Sequence, residues 1–178
     1  DAVLAHQAAQ KLQNVYAPKA AGASGLHRLA AKLHVRTAVF YSSVVVVLGG
    51  PGQSNYAAVN ESLDLLVAAR RSSALAAHSP QWGAWGEVGM ASRLSAKQLG
   101  AMGQLQPEEG MAALQGLMQR GSGSGSELIL RFSFGVFMKS VPALLEKLIP
   151  SQSCGRSAAA VVGSQAKIGL PVVLQLLE

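Results

Sequence analysis

The stretch that decides the fold runs Phe40-Tyr41-Ser42-Ser43, passes through Gly49-Gly50-Pro51-Gly52, and ends in Gln53-Ser54-Asn55-Tyr56-Ala57-Ala58-Val59-Asn60. Its lead-in, Thr37-Ala38-Val39-Phe40-Tyr41, is the short β-branched and aromatic run of a strand covered on both faces. After the Gly-Pro loop, Ser54 or Asn55 can cap a helix from Tyr56 to about Arg71, with Tyr56, Val59, Leu63 and Val67 on one stripe. Strand, loop and helix in that order form a unit of a parallel α/β sheet.

Working outward, Val3 to Tyr16 has helical composition, and Pro18 is expected to kink or end that helix before Lys19 to Leu33 resumes it. Downstream, a second strand lies between Leu75 and Gln81, weakened by Pro80, which cannot donate to a central ladder. Trp82-Gly83-Ala84-Trp85-Gly86 is a loop, and Ser92 to Gly100 and Glu108 to Gln119 are helices, the latter opened by Pro107-Glu108-Glu109. Gly121 to Ser126 is a flexible turn, Glu127 to Phe134 a third strand and Gly135 to Leu148 a final helix. Residues 1–148 are therefore expected to form one α/β unit, with 149–178 a linker or the start of a following module.

The chain has 178 residues, 49% apolar and 13% charged, which is a globular composition. Cys154 is its single cysteine, so an internal disulfide and a thiolate cluster are excluded and a reducing, cytoplasmic compartment is expected. The net charge is +6, but the basic residues are scattered, Arg70 and Arg71 being the only adjacent pair, which argues against nucleic acid. Thr37 to Gly50, the longest apolar run, is broken by Ser42 and Ser43 and falls short of the roughly 18 residues of a membrane span. Asp1-Ala2-Val3-Leu4 lacks the features of a signal peptide. The Gly-Ser repeat at 121–126 precedes a strand instead of opening a helix, so it is not a phosphate cradle.

In open α/β sheets, ligands bind outside the carboxyl ends of strands, which directs attention to Ser42 and Ser43. Tyr56 follows Ser43 by thirteen residues, and Asn60 lies one helical turn beyond Tyr56 on the same face. Spacing alone leaves two readings. Either these polar groups converge on a ligand, or the serines end a strand, Tyr56 packs with a bonded hydroxyl and Asn60 faces solvent. His6, His27, His34 and His78 have no acidic neighbour in sequence, and Trp82 and Trp85 suit packing.

The run quoted at the outset, together with Trp82-Gly83-Ala84-Trp85-Gly86-Glu87-Val88-Gly89-Met90-Ala91, resembles the ketoreductase domains of modular polyketide synthases, members of the short-chain dehydrogenase/reductase superfamily. Ala17-Pro18-Lys19-Ala20-Ala21-Gly22-Ala23-Ser24-Gly25-Leu26-His27 looks like their lysine-bearing segment, and Pro107-Glu108-Glu109-Gly110-Met111 like their penultimate helix. The resemblance covers about residues 3 to 145 and implies a Rossmann-like, doubly wound parallel sheet. Ordinary members of the superfamily carry Lys four residues after the Tyr; here Asn60 stands there and Lys19 supplies the cation, as in synthase ketoreductases.

The roles implied are Tyr56 as proton donor, Ser43 as the hydroxyl holding the ketone oxygen, Lys19 as the cation tuning the donor, and Asn60 as polar relay. The chemistry is consistent. Hydride arriving at a carbonyl carbon builds negative charge on oxygen, and a positioned proton donor beside a cation lowers that barrier. The resemblance further implies NADPH as cofactor, with Lys19, Tyr56, Trp82, Gly83 and Ala84 against it and Ser92 to Met102 as a lid. Leu48, Gln53, Asn55 and Met90 are the implied substrate contacts, and an acyl carrier protein bearing a β-ketoacyl group, with the other domains of the synthase, the implied partners.

In the family, a tryptophan eight residues before the tyrosine is associated with one product hand, while a proline five before and an asparagine one before accompany the other. Leu48, Pro51 and Asn55 imply the D-configured alcohol. Three features depart from the pattern. Val44 to Val47 replaces a small, polar stretch, His78 and Pro80 fall where a buried strand should be apolar, and no strand, Gly-rich turn and helix for a pyrophosphate is recognised in these residues, which makes the chain look like the carboxyl half of such a domain. A non-catalytic structural segment is the alternative reading. Retention of all four residue types at 19, 43, 56 and 60 favours the enzyme.

Overall fold

Two prolines in awkward places shape this molecule. The computed structural model describes residues 2–89, 91, 99, 102–119, 125–132, 158–160, 172–173 and 176–177. A short turn at Leu4–His6 leads to α1 (Ala9–Tyr16), which passes through a π-helical turn (Ala17–Ala21) into α2 (Gly22–Lys32). Pro18 sits at the start of that wide turn. It has no N–H to give the carbonyl one turn back, and its ring would collide there, so the chain takes an extra residue per turn instead of breaking. Pro18 thus widens the helix where an end or a kink was the expectation, and Lys19 lies within the wide turn.

The chain then crosses as β1 (Ala38–Val39) and β2 (Ser42–Ser43), turns through a helical turn α3 (Val45–Leu48), and enters α4 (Ser54–Ser72). Gln53, and not Ser54 or Asn55, is the N-cap of α4, with no side-chain cap bond. The Asn55 amide is engaged elsewhere, accepting from the Tyr56 N–H (2.9 Å) and donating to the Lys11 carbonyl (3.4 Å). β3 (Ala77–Trp82), β4 (Met102–Gly103), α5 (Pro107–Gln119) and β5 (Ser126–Phe132) follow.

The central strands are parallel: β1 and β2 pair with one side of β3, and β5 with the other. β4 runs antiparallel to β5. Within 149–178, expected as linker or following module, β6 (Ala158–Ala160) and β7 (Val172–Val173) pair with β5, and β8 (Leu176–Leu177) pairs with β6. The expected helix at 135–148, Met90, and most of the expected helix at 92–100, of the lid and of the Gly-Ser turn lie outside the described residues, Met102 at the end of the lid standing in β4.

β3 is central, and all six of its residues are buried, Pro80 among them. The ladder shows how the proline is tolerated. Ala38 and Phe40 donate to the Ala76 and His78 carbonyls, so a donor at residue 80 would meet the Phe40 carbonyl. That rung is missing, and the strand is split there: pairing stops at Val39↔His78 and resumes at Ser42↔Gln81. Alternation along β3 turns Ala77, Ser79 and Gln81 toward α4 and His78, Pro80 and Trp82 toward α5.

Each face has its own core. Ala23, Phe40, Leu63, Val67 and Ala77 pack between the sheet and the α2 and α4 side. Trp82, Leu105, Ala113, Leu117 and Ile129, with Trp85 and Leu114 against them, fill the α5 side. A side chain of this size contributes roughly 1.5–3 kcal/mol when fully buried.

Trp85 lies flat against Gly110 of α5: a Cβ there would stand 2.7 and 2.8 Å from ring atoms Cζ3 and Cζ2. Helix propensity alone favours Gly110→Ala by about 1 kcal/mol. The overlap reverses that sign. Denaturant unfolding is expected to show a loss of about 1–3 kcal/mol, the range for overpacking a tight core, and a gain in stability would show that Trp85 does not occupy this position.

Candidate active site

The wide turn carries Lys19 over the start of α4, and three observations define what it does there. Lys19 Nζ donates to Asn60 Oδ1 at 2.6 Å and to the Tyr41 carbonyl at 3.2 Å, and stands 4.9 Å from the centre of the Tyr56 ring. Asn60 is fully buried, and its Nδ2 donates back to the Tyr56 carbonyl at 2.7 Å. Tyr56 and Asn60 are one turn apart on α4, so a single helix face presents both. Lys19, Tyr56 and Asn60, three of the four residues expected from sequence, are thus brought together.

The serines divide. Ser42 is buried at 4% exposure and faces α4, with its hydroxyl 3.4 Å from the Asn60 carbonyl. Ser43 is half-buried at the carboxyl end of β2, facing the other way, and its Oγ accepts from the Val45 N–H at 3.4 Å. No hydrogen bond joins Ser43 to Tyr56 among the described residues. The four-valine stretch at 44–47 supplies the N-cap and first three residues of α3, which brings the Val45 N–H against Ser43.

Beside Ser43 in the ladder is Trp82, the last residue of β3. It packs against the half-exposed Tyr41, ring centres 5.6 Å apart, and edge-on to Trp85 at 4.9 Å. Its Nε1 is buried and has no partner among the described residues. Gly83 is held close to the next strand, its N–H donating to the Ile129 carbonyl at 2.7 Å, and a Cβ there would come 2.7 Å from Leu130 Cβ. The Ala84 carbonyl accepts from the Leu105 N–H at 2.7 Å.

Leu48 closes α3, and Gln53 begins α4. Asn55 is buried with its amide committed to Lys11 and Tyr56, so it fixes the entry to α4. Two open cavities of about 370 and 400 Å³ lie along this entry, sharing Leu4 and Ser54, and neither is lined by Lys19, Ser43 or Tyr56.

A residue that sequence reasoning missed is Asp64, one turn beyond Asn60. It is 3% exposed and accepts hydrogen bonds from Ser79 and Gln81 on β3. The available signal was a carboxylate set within the apolar stripe of Val59, Leu63 and Val67. His27, by contrast, contacts Arg70 through Nδ1 at 2.8 Å, a pairing remote from Tyr56 in sequence and of no evident chemistry. Among the described residues no His, Cys, Asp and Glu group could hold a metal, and no helix is long and apolar enough to cross a membrane.

The chain has relatives among known proteins. A family model described as the KR domain matches residues 1–87. Polyketide synthase GfsA of Streptomyces halstedii is 46% identical over 89 residues, half of this chain and 1% of that synthase. A mycocerosic acid synthase-like polyketide synthase of Mycobacterium tuberculosis is 40% identical over 119 residues, 67% of this chain and 6% of the relative. The solved structure of A-type ketoreductases from a modular polyketide synthase superposes with a TM-score of 0.74 at 33% identity, over 80% of this chain and 30% of that one. The chain therefore spans only a small part of the synthases it matches and under a third of a solved ketoreductase. With the Lys19, Asn60 and Tyr56 arrangement already in place, these matches make it a member of the ketoreductase domain family of modular polyketide synthases, of the short-chain dehydrogenase/reductase type.

Proposed function

We propose that the chain supplies the acid–base side of a ketoreductase that reduces a β-ketoacyl group, carried as a thioester on an acyl carrier protein, with NADPH as reductant. The observation that carries this is the Lys19 ammonium bonded to Asn60 and seated against the Tyr56 ring at the carboxyl ends of parallel strands. A bound nicotinamide supplies the hydride. The rest is done by side chains of this chain.

Tyr56 Oη gives its proton to the ketone oxygen as charge grows there, so ketone, hydride and proton sum to the alcohol. Ser43 donates a second hydrogen bond to that oxygen. Ser42, buried beneath Asn60, is the poorer candidate for touching a substrate. Lys19 stabilises the phenolate left behind, which then recovers a proton from solvent. Asn60 holds Lys19 in register while its other amide end stays on the Tyr56 carbonyl.

The residues present fit the nicotinamide end of the cofactor. Lys19 has spent two of its three N–H groups on Tyr41 and Asn60, leaving one for a ribose hydroxyl, and Trp82 Nε1 is a buried donor with no acceptor among the described residues. Trp82, Gly83 and Ala84 would line that end. The sequence has no G-x-G-x-x-G run, so we propose no pyrophosphate site among these residues.

Replacing the donor tests this directly. In the full-length protein, Tyr56→Phe should lower NADPH-dependent reduction of a β-ketoacyl thioester by about 100-fold or more while leaving the unfolding transition in place. Near-normal turnover would reject Tyr56 as the donor.

The hand of the product follows from which ketone face is turned to the hydride. Leu48, in place of a bulky indole, leaves one entry open beside α3, and Asn55 ties that entry to α1 through Lys11. Chiral chromatography of the alcohol should show the D-3-hydroxyacyl product. A predominantly L product would show that these positions do not set the entry side.

A further inference from the structure

Tyr41 stands between the two halves of the site, and the reaction above makes no use of its ring. Its carbonyl accepts from Lys19 Nζ at 3.2 Å, and its ring packs on Trp82 with centres 5.6 Å apart and planes tilted by 36°. Phe40 and Ser42, its neighbours along the chain, turn toward α4. Tyr41 therefore shares the opposite face with Ser43, which lies beside Trp82 in the ladder. One residue thus adjoins the lysine, the serine and the indole.

The three aromatic rings here differ in what they can offer a ligand. Trp82 is 5% exposed, with Tyr41 on one side of it and Trp85 edge-on at 4.9 Å, and Trp85 itself lies against Gly110. Tyr41 is 49% exposed and has the most accessible ring of the three. A ligand that takes both the spare N–H of Lys19 and the buried N–H of Trp82 has to pass Tyr41, which is bonded to the first residue and packed on the second. An accessible ring braced by a neighbour is a ready surface for a flat group to stack on.

We propose that the accessible ring of Tyr41 is a cofactor-binding surface that stacks on the nicotinamide and favours its oxidised, cationic form. This rests on the nicotinamide end lying between Lys19 and Trp82. The face of a phenol ring is the negative end of a quadrupole, and it attracts a cation lying within about 6 Å of its centre. A reduced nicotinamide is neutral, whereas an oxidised one carries a full positive charge.

The neighbouring charge gives that preference its use. Lys19 already holds an ammonium 4.9 Å from the centre of the Tyr56 ring, and a second cation beside it is repelled. The face of Tyr41 offsets that repulsion for the oxidised cofactor. It does so during the reaction as well, because the hydride carries two electrons to the ketone carbon and the charge left on the nicotinamide faces Tyr41. Removing the ring should therefore weaken the two oxidation states unequally. Loss of apolar packing alone would weaken both by the same factor.

The test is equilibrium binding of NADP+ and of NADPH, by calorimetry, to the full-length protein and to Tyr41→Leu, which keeps apolar bulk and the carbonyl that holds Lys19. Expected is a loss of affinity for NADP+ about 3- to 10-fold greater than the loss for NADPH. Tyr41→Phe keeps the ring and should stay within about twofold of the parent for both forms. Equal losses for the two forms, or no loss, would overturn the proposal, as would a Phe variant weakened as much as the Leu variant. Should Leu prevent folding, Tyr41→Val, β-branched and suited to a strand, carries the same expectation. Failure of both to fold while Phe folds would overturn the proposal in favour of packing on Trp82 alone. A parent protein that binds neither form would instead remove the nicotinamide reading, and this inference with it.

Discussion

The 2.6 Å bond from Lys19 Nζ to Asn60 Oδ1 is the constraint from which the site is built. It joins a lysine from the wide turn after α1 to an asparagine from the middle of the molecule, forty-one positions later in the chain. Because Asn60 is fully buried, its oxygen cannot turn to water if the lysine leaves, and an unpaired buried acceptor costs about 1–3 kcal/mol. The lysine is therefore held, and with it the cation against the Tyr56 ring. Lys19 elsewhere on a helix surface would be a solvated charge of little consequence.

Two missing N–H groups shape the backbone around the site. Pro18 widens the turn that carries Lys19, and Pro80 removes the rung opposite Phe40. Because Phe40 faces β3, Tyr41 must face away from it, and its carbonyl, on the outer edge of the sheet, is what receives the second Lys19 bond. A lost ladder bond forgoes about 0.5–1.5 kcal/mol. The strands around it, buried on both faces by α4 and α5, offset the loss with apolar area: Leu63, Val67, Leu117, Leu128 and Leu130 are all 3% exposed or less. Local irregularity is thus concentrated where the polar groups meet, within a sheet regular enough to bear it.

Much of this was legible in the residues. The β-branched run at 37–41, the Gly-Pro loop and the Val59, Leu63, Val67 stripe specify strand, turn and helix by period alone, and Pro107-Glu108-Glu109 opens α5 as its chemistry requires. Lys19, Tyr56 and Asn60 converge as the family resemblance led one to expect, whereas spacing alone leaves two readings of Tyr56 and Asn60 and does not point to Lys19. What could not be read is physical in each case. A proline signals a lost donor, but whether the helix stops or widens at Pro18, or whether β3 is central or at an edge, depends on packing from distant segments. Ser42 and Ser43 differ by one position, and only the register against Gln81 and Trp82 decides which faces α4. Asp64 sits at a core position of its stripe, and its partners Ser79 and Gln81 come from a strand in which His78 and Pro80 stand where apolar residues are expected.

The central claim is that Lys19 and Asn60 act as one unit on Tyr56. A double-mutant cycle on kcat/KM with Lys19→Met and Asn60→Leu measures it in the full-length protein. Residues that work only together lose their effect together, so the double variant should be about as slow as either single variant, a large deviation from additivity. Losses that simply multiply would show that the two residues contribute independently, and would contradict the account.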